Sequence, residues 1–193
     1  MGGMVLKTPK EEKAPSGGLV SLYEWVEAAV FSLVTVAIIF CLFFRVVGVD
    51  GESMQNTLMD LDRLLLTSGY TEAEYGDIVV ISRGGAEPLI KRVVAKEGDT
   101  IKIEDETVYV QKAGEETFSP LSEPYTYLDP YGPYILDVME SVTVPEGHVF
   151  VLGDNRRNSH DSRAEDIGCV DMDDILGKAF WRIWPIAEFG AIE

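Results

Sequence analysis

Three short segments of this chain concentrate side chains that could do chemistry. The stretch Val49-Asp-Gly-Glu-Ser-Met-Gln-Asn-Thr-Leu58 holds Ser53 in a glycine-containing turn. A hydroxyl there can act as a nucleophile once a base takes its proton, and taken alone it reads equally well as an ordinary turn serine. The stretch Leu89-Ile-Lys-Arg-Val-Val-Ala95 has strand character, and alternation puts Lys91 on one face with Leu89, Val93 and Ala95. An ammonium on an apolar face loses hydration, so its pKa falls and the neutral amine becomes available as a general base near physiological pH. A lysine snorkelling from an edge strand is the competing reading. The third stretch, from Val149 to Arg163, runs from an apolar strand into the polar turn Gly-Asp-Asn-Arg-Arg-Asn-Ser-His-Asp-Ser-Arg. Asp154, Asp161, Arg156, Arg157 and Arg163 can form paired charges there, while Asn155, Asn158, Ser159 and Ser162 can fix turns. That density fits an ordered scaffold beside an active site better than a solvated loop.

These segments need a scaffold, and the local pattern predicts a β one. Runs of β-branched residues broken by Gly, Pro and Asp fall at Ile78–Ser82, Leu89–Ala95, Thr100–Ile103, Thr107–Gln111, Ser141–Val144, Val149–Leu152 and Lys178–Trp184. Spacing of that kind argues for a mainly β fold, a sandwich or barrel. No repeat is visible, and no long helical period follows residue 50. Between residues 113 and 139 the chain has four prolines together with Tyr125, Tyr127, Tyr131 and Tyr134. It reads as an irregular insertion whose aromatics serve local packing.

Before the β region lies a segment of another kind. Ala28 to Phe44 is a run of 17 residues without a charge, bracketed by Glu27 and Arg45. As a helix it would extend roughly 25 Å at ~1.5 Å per residue, and Val46 and Val47 continue the apolar run past a snorkelling arginine. A bilayer-spanning anchor is the reading that hydropathy favours over a buried soluble helix. Lys7, Lys10 and Lys13 give it the basic lead-in of a secretory signal peptide, but the apolar core is long for one and no Ala-x-Ala site follows. The expected organisation is a tail at 1–24, a transmembrane anchor at 25–47 and an extramembrane domain at 48–193. Basic residues flank the span on both sides, so charge alone leans only slightly towards an amino terminus inside.

Composition narrows the partners. The 193 residues carry a formal net charge of −17, and residues 45–193 hold 13 basic against 29 acidic side chains. Such a surface repels a phosphate backbone, so nucleic acid is not expected as a partner. Cys41 and Cys169 are the two cysteines; they cannot build a zinc cage by themselves and suggest no disulfide framework.

Taken together, Ser-Met-x-x-Thr-Leu at 53–58, Ile-Lys-Arg-Val-Val-Ala at 90–95 followed by Glu-Gly-Asp, and Gly-Asp-Asn-Arg-Arg-Asn-Ser-His-Asp-Ser-Arg at 153–163 resemble the bacterial type I signal peptidases. Gly76–Ile81, Leu121–Tyr125, Gly177–Ala179 and Arg182–Pro185 extend the resemblance over residues 49 to 185. It implies a signal-peptidase-like antiparallel β domain behind one amino-terminal transmembrane helix, and a serine endopeptidase that needs no cofactor or metal. Ser53 would be the nucleophile and Lys91 its base. Ser159 would hold the lysine amine, Asp161 would pair with Arg163, and Asp154 with Arg92. Exported preproteins would be the substrates and membrane lipid the surroundings of the anchor, with the amino terminus cytoplasmic and the catalytic domain extracytoplasmic.

Two positions depart from the family pattern. Asn56 stands where the family commonly has proline, and Gly51 stands where some members place a serine that donates to the oxyanion. The Ser53 backbone N–H is then the expected oxyanion donor. Three other readings compete: a Ser-His-Asp hydrolase using His148 or His160, a self-cleaving repressor of the same Ser/Lys chemistry, and a catalytically inactive, membrane-tethered β domain that binds exported chains. The first is disfavoured because His160 and Asp161 are sequence neighbours whose side chains diverge in a strand. The second would carry a DNA-binding domain where this chain has an apolar span.

Overall fold

The computed structural model describes residues 17–128 and 138–192, with side chains from residue 21 onward. Most of the expected tail lies outside that range, as do Tyr131 and Tyr134 of the insertion. Two units are distinguished, one ending at Leu42 and one comprising residues 43–193.

The first unit contains the helix α1, Gly17–Phe43. Its stretch Ser21–Phe43 contains an 18-residue window with a mean hydropathy of 2.5 and is long and apolar enough to cross a membrane. Every side chain in that stretch is exposed, an arrangement that water would penalise and hydrocarbon would not. The helix ends four residues before the boundary expected from the apolar run. Phe44, Arg45, Val46, Val47 and Gly48 instead form a strand, β1. The β-branched pair suits extended backbone, and β1 finds an antiparallel partner in β2, Arg63–Thr67, in the register Phe44↔Thr67 to Gly48↔Arg63. Hydropathy does not distinguish an apolar strand from the last turn of an apolar helix.

The remaining strands are β3 (Ile78–Arg83), β4 (Ala86–Lys96), β5 (Thr100–Glu104), β6 (Thr107–Gln111), β7 (Ser119–Pro120), β8 (Met139–Thr143), β9 (His148–Leu152), β10 (Val170–Asp171), β11 (Ile175–Trp184) and β12 (Gly190–Ala191). A large sheet runs β1-β2-β11-β3-β4-β9-β10 with β12 on β11, and a smaller one runs β7-β6-β5-β8. All strand pairs are antiparallel. Each of the seven expected runs lies in a strand of this list, β8 ending one residue short of the expected Val144. β1, β2, β7, β10 and β12 escaped the pattern because they are short or lack alternation.

The large sheet is packed on both faces, which is why β3 reads as an unbroken apolar run. Ile78 and Val80 join Val49, Met54, Leu58, Leu64, Leu66 and Ile90 on one face. Val79 and Ile81 join Val93, Val149, Val151 and Ile175 on the other. A third cluster, with Val94, Ala95, Phe150 and Leu152 against Ile101, Ile103, Val108 and Val110, fastens the small sheet to the large one. An irregularity in the β4–β9 pairing between Val93 and Ala95 corrects the alternation expected for β4. Leu89 and Val93 pack in one cluster while Ala95 packs with Val94 in another.

Close backbone approach at the centre of the large sheet explains Gly177. A Cβ added there would sit 2.2 Å from the carbonyl oxygen of Thr67 on β2. Gly177→Ala is therefore expected to force β11 and β2 apart and to cost about 1–3 kcal/mol, the usual penalty for overpacking. Denaturant unfolding of the detergent-solubilised protein checks this, and an unchanged midpoint would contradict the close approach.

Candidate active site

Ser53 is presented by a loop that the core holds at several points. Val49 N–H donates to the Asp62 carbonyl at 2.8 Å, Leu61 N–H to the Val49 carbonyl at 3.0 Å, and Leu58 N–H to the Met54 carbonyl at 2.8 Å. Met54 and Leu58 are almost fully buried and act as apolar anchors on either side of the intervening turn. Gly51 sits at φ +93°, a left-handed conformation in which a serine would be strained. The Gln55–Asn56 peptide, at the position of the family proline, is cis.

Lys91 meets this loop from the middle of β4. Its Nζ lies 2.8 Å from Ser53 Oγ and donates to the Ile90 carbonyl, also at 2.8 Å. Only 2% of the residue is exposed. Burial is the main reason its pKa is pushed down from 10.5 to about 8; Asp161 and Asp154 oppose the change, while Arg163 and Arg83 reinforce it. Among the described residues, no hydrogen bond engages the Ser53 N–H.

The loop after β9 closes the site through two buried ion pairs. Arg92 Nε donates to Asp154 Oδ1 at 2.8 Å and its Nη2 to Oδ2 at 2.7 Å, with 2% and 0% of the two side chains exposed. Thr57 Oγ1 donates to the same carboxylate at 2.5 Å, tying the Ser53 loop to it. Arg163 Nε and Nη2 donate to the two Asp161 oxygens at 2.8 Å each, and Gly153 N–H adds a bond of 3.0 Å. Burial alone would raise the Asp161 carboxyl, but the Arg163 guanidinium and the Gly153 N–H outweigh it and hold the pKa below the ordinary carboxylate range.

Ser159 is buried as well. Its Oγ has no partner at standard hydrogen-bond geometry, so it does not hold the Lys91 amine here, although it lies near enough to Asp161 to help keep that carboxyl ionised. Gly153 separates it from the nucleophile loop. A Cβ at Gly153 would fall 2.2 Å from Ser159 Oγ and 2.5 Å from the Ser53 carbonyl oxygen, so only glycine fits. The two histidines are engaged elsewhere. His160 Nε2 lies 2.9 Å from Asp166 Oδ2, and His148 Nδ1 lies 2.8 Å from the Glu146 carbonyl.

The sequence names Asn155 and Arg156 as turn-fixing and charge-pairing residues without giving their partners, and it gives Thr57 no role. Asn155 donates from its backbone to the Ser53 carbonyl at 3.0 Å and from Nδ2 to the Glu52 carbonyl at 3.2 Å. Thr57 and Arg156 likewise hold backbone or carboxylate groups around the two loops. Their motifs were visible, but a hydrogen-bond partner 97 or 103 positions away is not. A cleft of about 360 Å³ opens beside the pair, lined by Val47–Asp50, Ser53 and Met54 on one side and by Arg83 and Glu87–Lys91 on the other. Among the described residues no cluster of His, Cys, Asp and Glu is suited to hold a metal ion.

The arrangement can do one kind of chemistry well: a hydroxyl 2.8 Å from a desolvated amine, beside a cleft, with a free backbone N–H at the nucleophile. Comparison with known proteins agrees with the resemblance read from the motifs. Residues 22–184 match the family described as signal peptidase, peptidase S26. The chain is 35% identical over 175 residues to a signal peptidase I of Bacillus licheniformis, covering 87% of this chain and 91% of the relative. It is 31% identical over 191 residues to a signal peptidase I of Bacillus amyloliquefaciens, covering 93% and 97%. It is 32% identical over 181 residues to signal peptidase IB of Staphylococcus aureus strain N315, covering 87% and 92%. A crystal structure of a signal peptidase I from Enterococcus faecalis V583 is 29% identical and covers 55% of this chain and 96% of that one, with a TM-score of 0.42.

Proposed function

The chain belongs to the signal peptidase family of S26 peptidases, and from that premise we propose that it removes signal peptides from exported preproteins with Ser53 as nucleophile and Lys91 as general base. The observation that carries the proposal is the 2.8 Å contact between Ser53 Oγ and a lysine amine with 2% of its residue exposed.

The reaction follows from the positions of these atoms. Neutral Lys91 has a lone pair to accept the Ser53 proton while one of its N–H groups is occupied by the Ile90 carbonyl. As Oγ attacks the scissile carbonyl, the developing oxyanion takes a hydrogen bond from the Ser53 N–H. Proton transfer turns the amine into an ammonium with a third N–H, and the unpartnered hydroxyl of Ser159 is the acceptor proposed for it. The proton then passes to the leaving amine as the peptide bond breaks and an ester forms on Ser53. A water deprotonated by the same lysine attacks that ester and frees the new carboxylate. Asp161 with Arg163, and Asp154 with Arg92, are assigned a positioning role.

The apolar helix gives the chemistry its place. Anchored in the bilayer through α1, the enzyme meets chains whose scissile bonds emerge at the membrane surface, and tethering raises their effective concentration. The proposed orientation has the amino terminus in the cytoplasm and residues 48–193 outside, where exported chains arrive.

Three outcomes test this reading. Ser53→Ala and Lys91→Ala, purified in detergent, are each expected to lose cleavage of a signal-peptide substrate by about 10⁴-fold or more, while their melting behaviour stays that of a folded protein. Retention of substantial turnover in either variant would remove the dyad assignment.

The second concerns pH. A lysine base works only when unprotonated, so activity is expected to level off above pH 8 and to fall about tenfold per pH unit below the Lys91 pKa of about 8. A midpoint near the ordinary lysine value would deny that burial tunes the amine.

Topology is the third. Protease added to intact spheroplasts is expected to digest or release the domain following the helix and to spare the amino-terminal tail. The reverse pattern of protection would overturn the orientation.

A further inference from the structure

Residues Glu123–Tyr127 are joined at several points to the loop that carries Asp154, Ser159 and Asp161 and to Arg92 of β4. The carboxylate of Glu123 accepts from both terminal nitrogens of Arg156, at 2.9 Å from Nη1 and in closer contact with Nη2. The Tyr125 ring stacks under the Arg92 guanidinium, whose Cζ is 3.9 Å from the ring centroid. Tyr127 N–H donates to the Asp154 carbonyl at 2.8 Å, and Arg156 N–H to the Tyr127 carbonyl at 3.0 Å. Side-chain exposure is 7% at Arg156 and 10% at Glu123, so the pair is nearly as dry as the two ion pairs of the site.

What distinguishes this ion pair is where Arg156 points its Nε–H donor. Its Nε donates to the Gly153 carbonyl at 3.0 Å. Gly153 is wedged so closely between Ser159 and the Ser53 carbonyl that a single added carbon would fall 2.2 Å from one and 2.5 Å from the other. With no room left for even one more carbon between these neighbours, a displacement of Gly153 is passed on rather than absorbed. Asn155, two residues on, donates from its N–H to the same Ser53 carbonyl.

We infer that Glu123 is a positioning residue for the peptidase reaction: acting through Arg156 it fixes Gly153, and through Gly153 the placement of Ser53 against Lys91. The inference rests on the Ser53/Lys91 reading. Glu123 does not line the cleft beside the pair, so its effect belongs in the chemical step and not in substrate binding. A carboxylate that only neutralised a buried arginine would instead change stability and leave the turnover of the folded enzyme alone.

The experiment uses the full chain in detergent–lipid micelles with a signal-peptide substrate, and compares wild type, Ser53→Ala, Glu123→Gln, Arg156→Lys and the Glu123→Gln/Arg156→Lys double variant. Arg156→Lys keeps the charge for Glu123 and removes the Nε bond to Gly153. At a temperature well below each melting transition, kcat is expected to fall about 10- to 100-fold in Glu123→Gln and Arg156→Lys, with KM within about threefold of wild type. Because both act along one path, the double variant is expected to be no slower than the worse single one. Glu106→Gln, which breaks the more exposed pair between Glu106 and Arg157 of the same loop, is expected to keep kcat within about twofold, as for a surface pair.

A folded Glu123→Gln with wild-type kcat would overturn the inference, as would a loss confined to KM or one that multiplies with that of Arg156→Lys. If Glu123→Gln does not fold, a folded Arg156→Lys decides on the same criteria. Failure of both to fold would make the Glu123–Arg156 pair a folding element and reject the positioning role. Inactive wild type, or activity surviving in Ser53→Ala, would instead reject the Ser/Lys reading itself.

Discussion

The constraint on which the rest of this structure depends is the removal of one lysine amine from water. At pH 7 an amine with a pKa of 10.5 is about 0.03% neutral, whereas one with a pKa of about 8 is about 10% neutral, a gain of about 300-fold in usable base. Burial is the largest cause of that change, Arg163 and Arg83 add to it, and the nearby carboxylates work against it. The site therefore has to keep Asp154 and Asp161 close for architecture while limiting their influence on Lys91. It does so by giving each carboxylate its own guanidinium, Arg92 and Arg163 respectively.

Those pairs are poor candidates for sources of stability. Taking an ion out of water costs several kcal/mol, and a buried pair regains that only with close geometry and further hydrogen bonds. Both pairs here are bidentate, and both carboxylates take an additional donor, Thr57 for Asp154 and Gly153 N–H for Asp161. What the arrangement supplies is definition. Arg92 lies next to Lys91 on β4 and Asp154 follows β9, so one ion pair fixes the register of the strand carrying the proposed base against the loop carrying Ser159. Thr57 brings the nucleophile turn to the same carboxylate. Three segments distant in sequence are thus gathered on one buried charge.

The glycine positions show the same economy of space. At Gly153 and Gly177 the neighbouring backbone or hydroxyl stands where a Cβ would have to go, so close approach selects glycine. At Gly51 the surroundings are open and the left-handed backbone selects it instead. The residue that looked like a missing oxyanion donor in the sequence is, in this backbone, the one that shapes the turn before Ser53.

By itself the sequence determined the kinds of element and the chemistry on offer. The apolar run up to Phe43, the β-branched runs of β3 to β6, β9 and β11, and the serine, lysine and polar-loop motifs are local patterns, and local patterns survive without a fold. Pairing was another matter. That Phe44–Gly48 leaves the helix to become β1 depends on the complementary edge of β2, and the irregularity after Val93 that sends Ala95 to a different core depends on β9. Lys91 was suspected of burial from its apolar neighbours, but its 2.8 Å approach to Ser53 joins residues 38 positions apart. Asn155 on the Ser53 carbonyl and Glu123 on Arg156 span still more chain or join unrelated segments. Alternation tells which way a side chain faces; only the packed sheets decide what it meets, because the distance between two side chains is set by every strand and loop that lies between them.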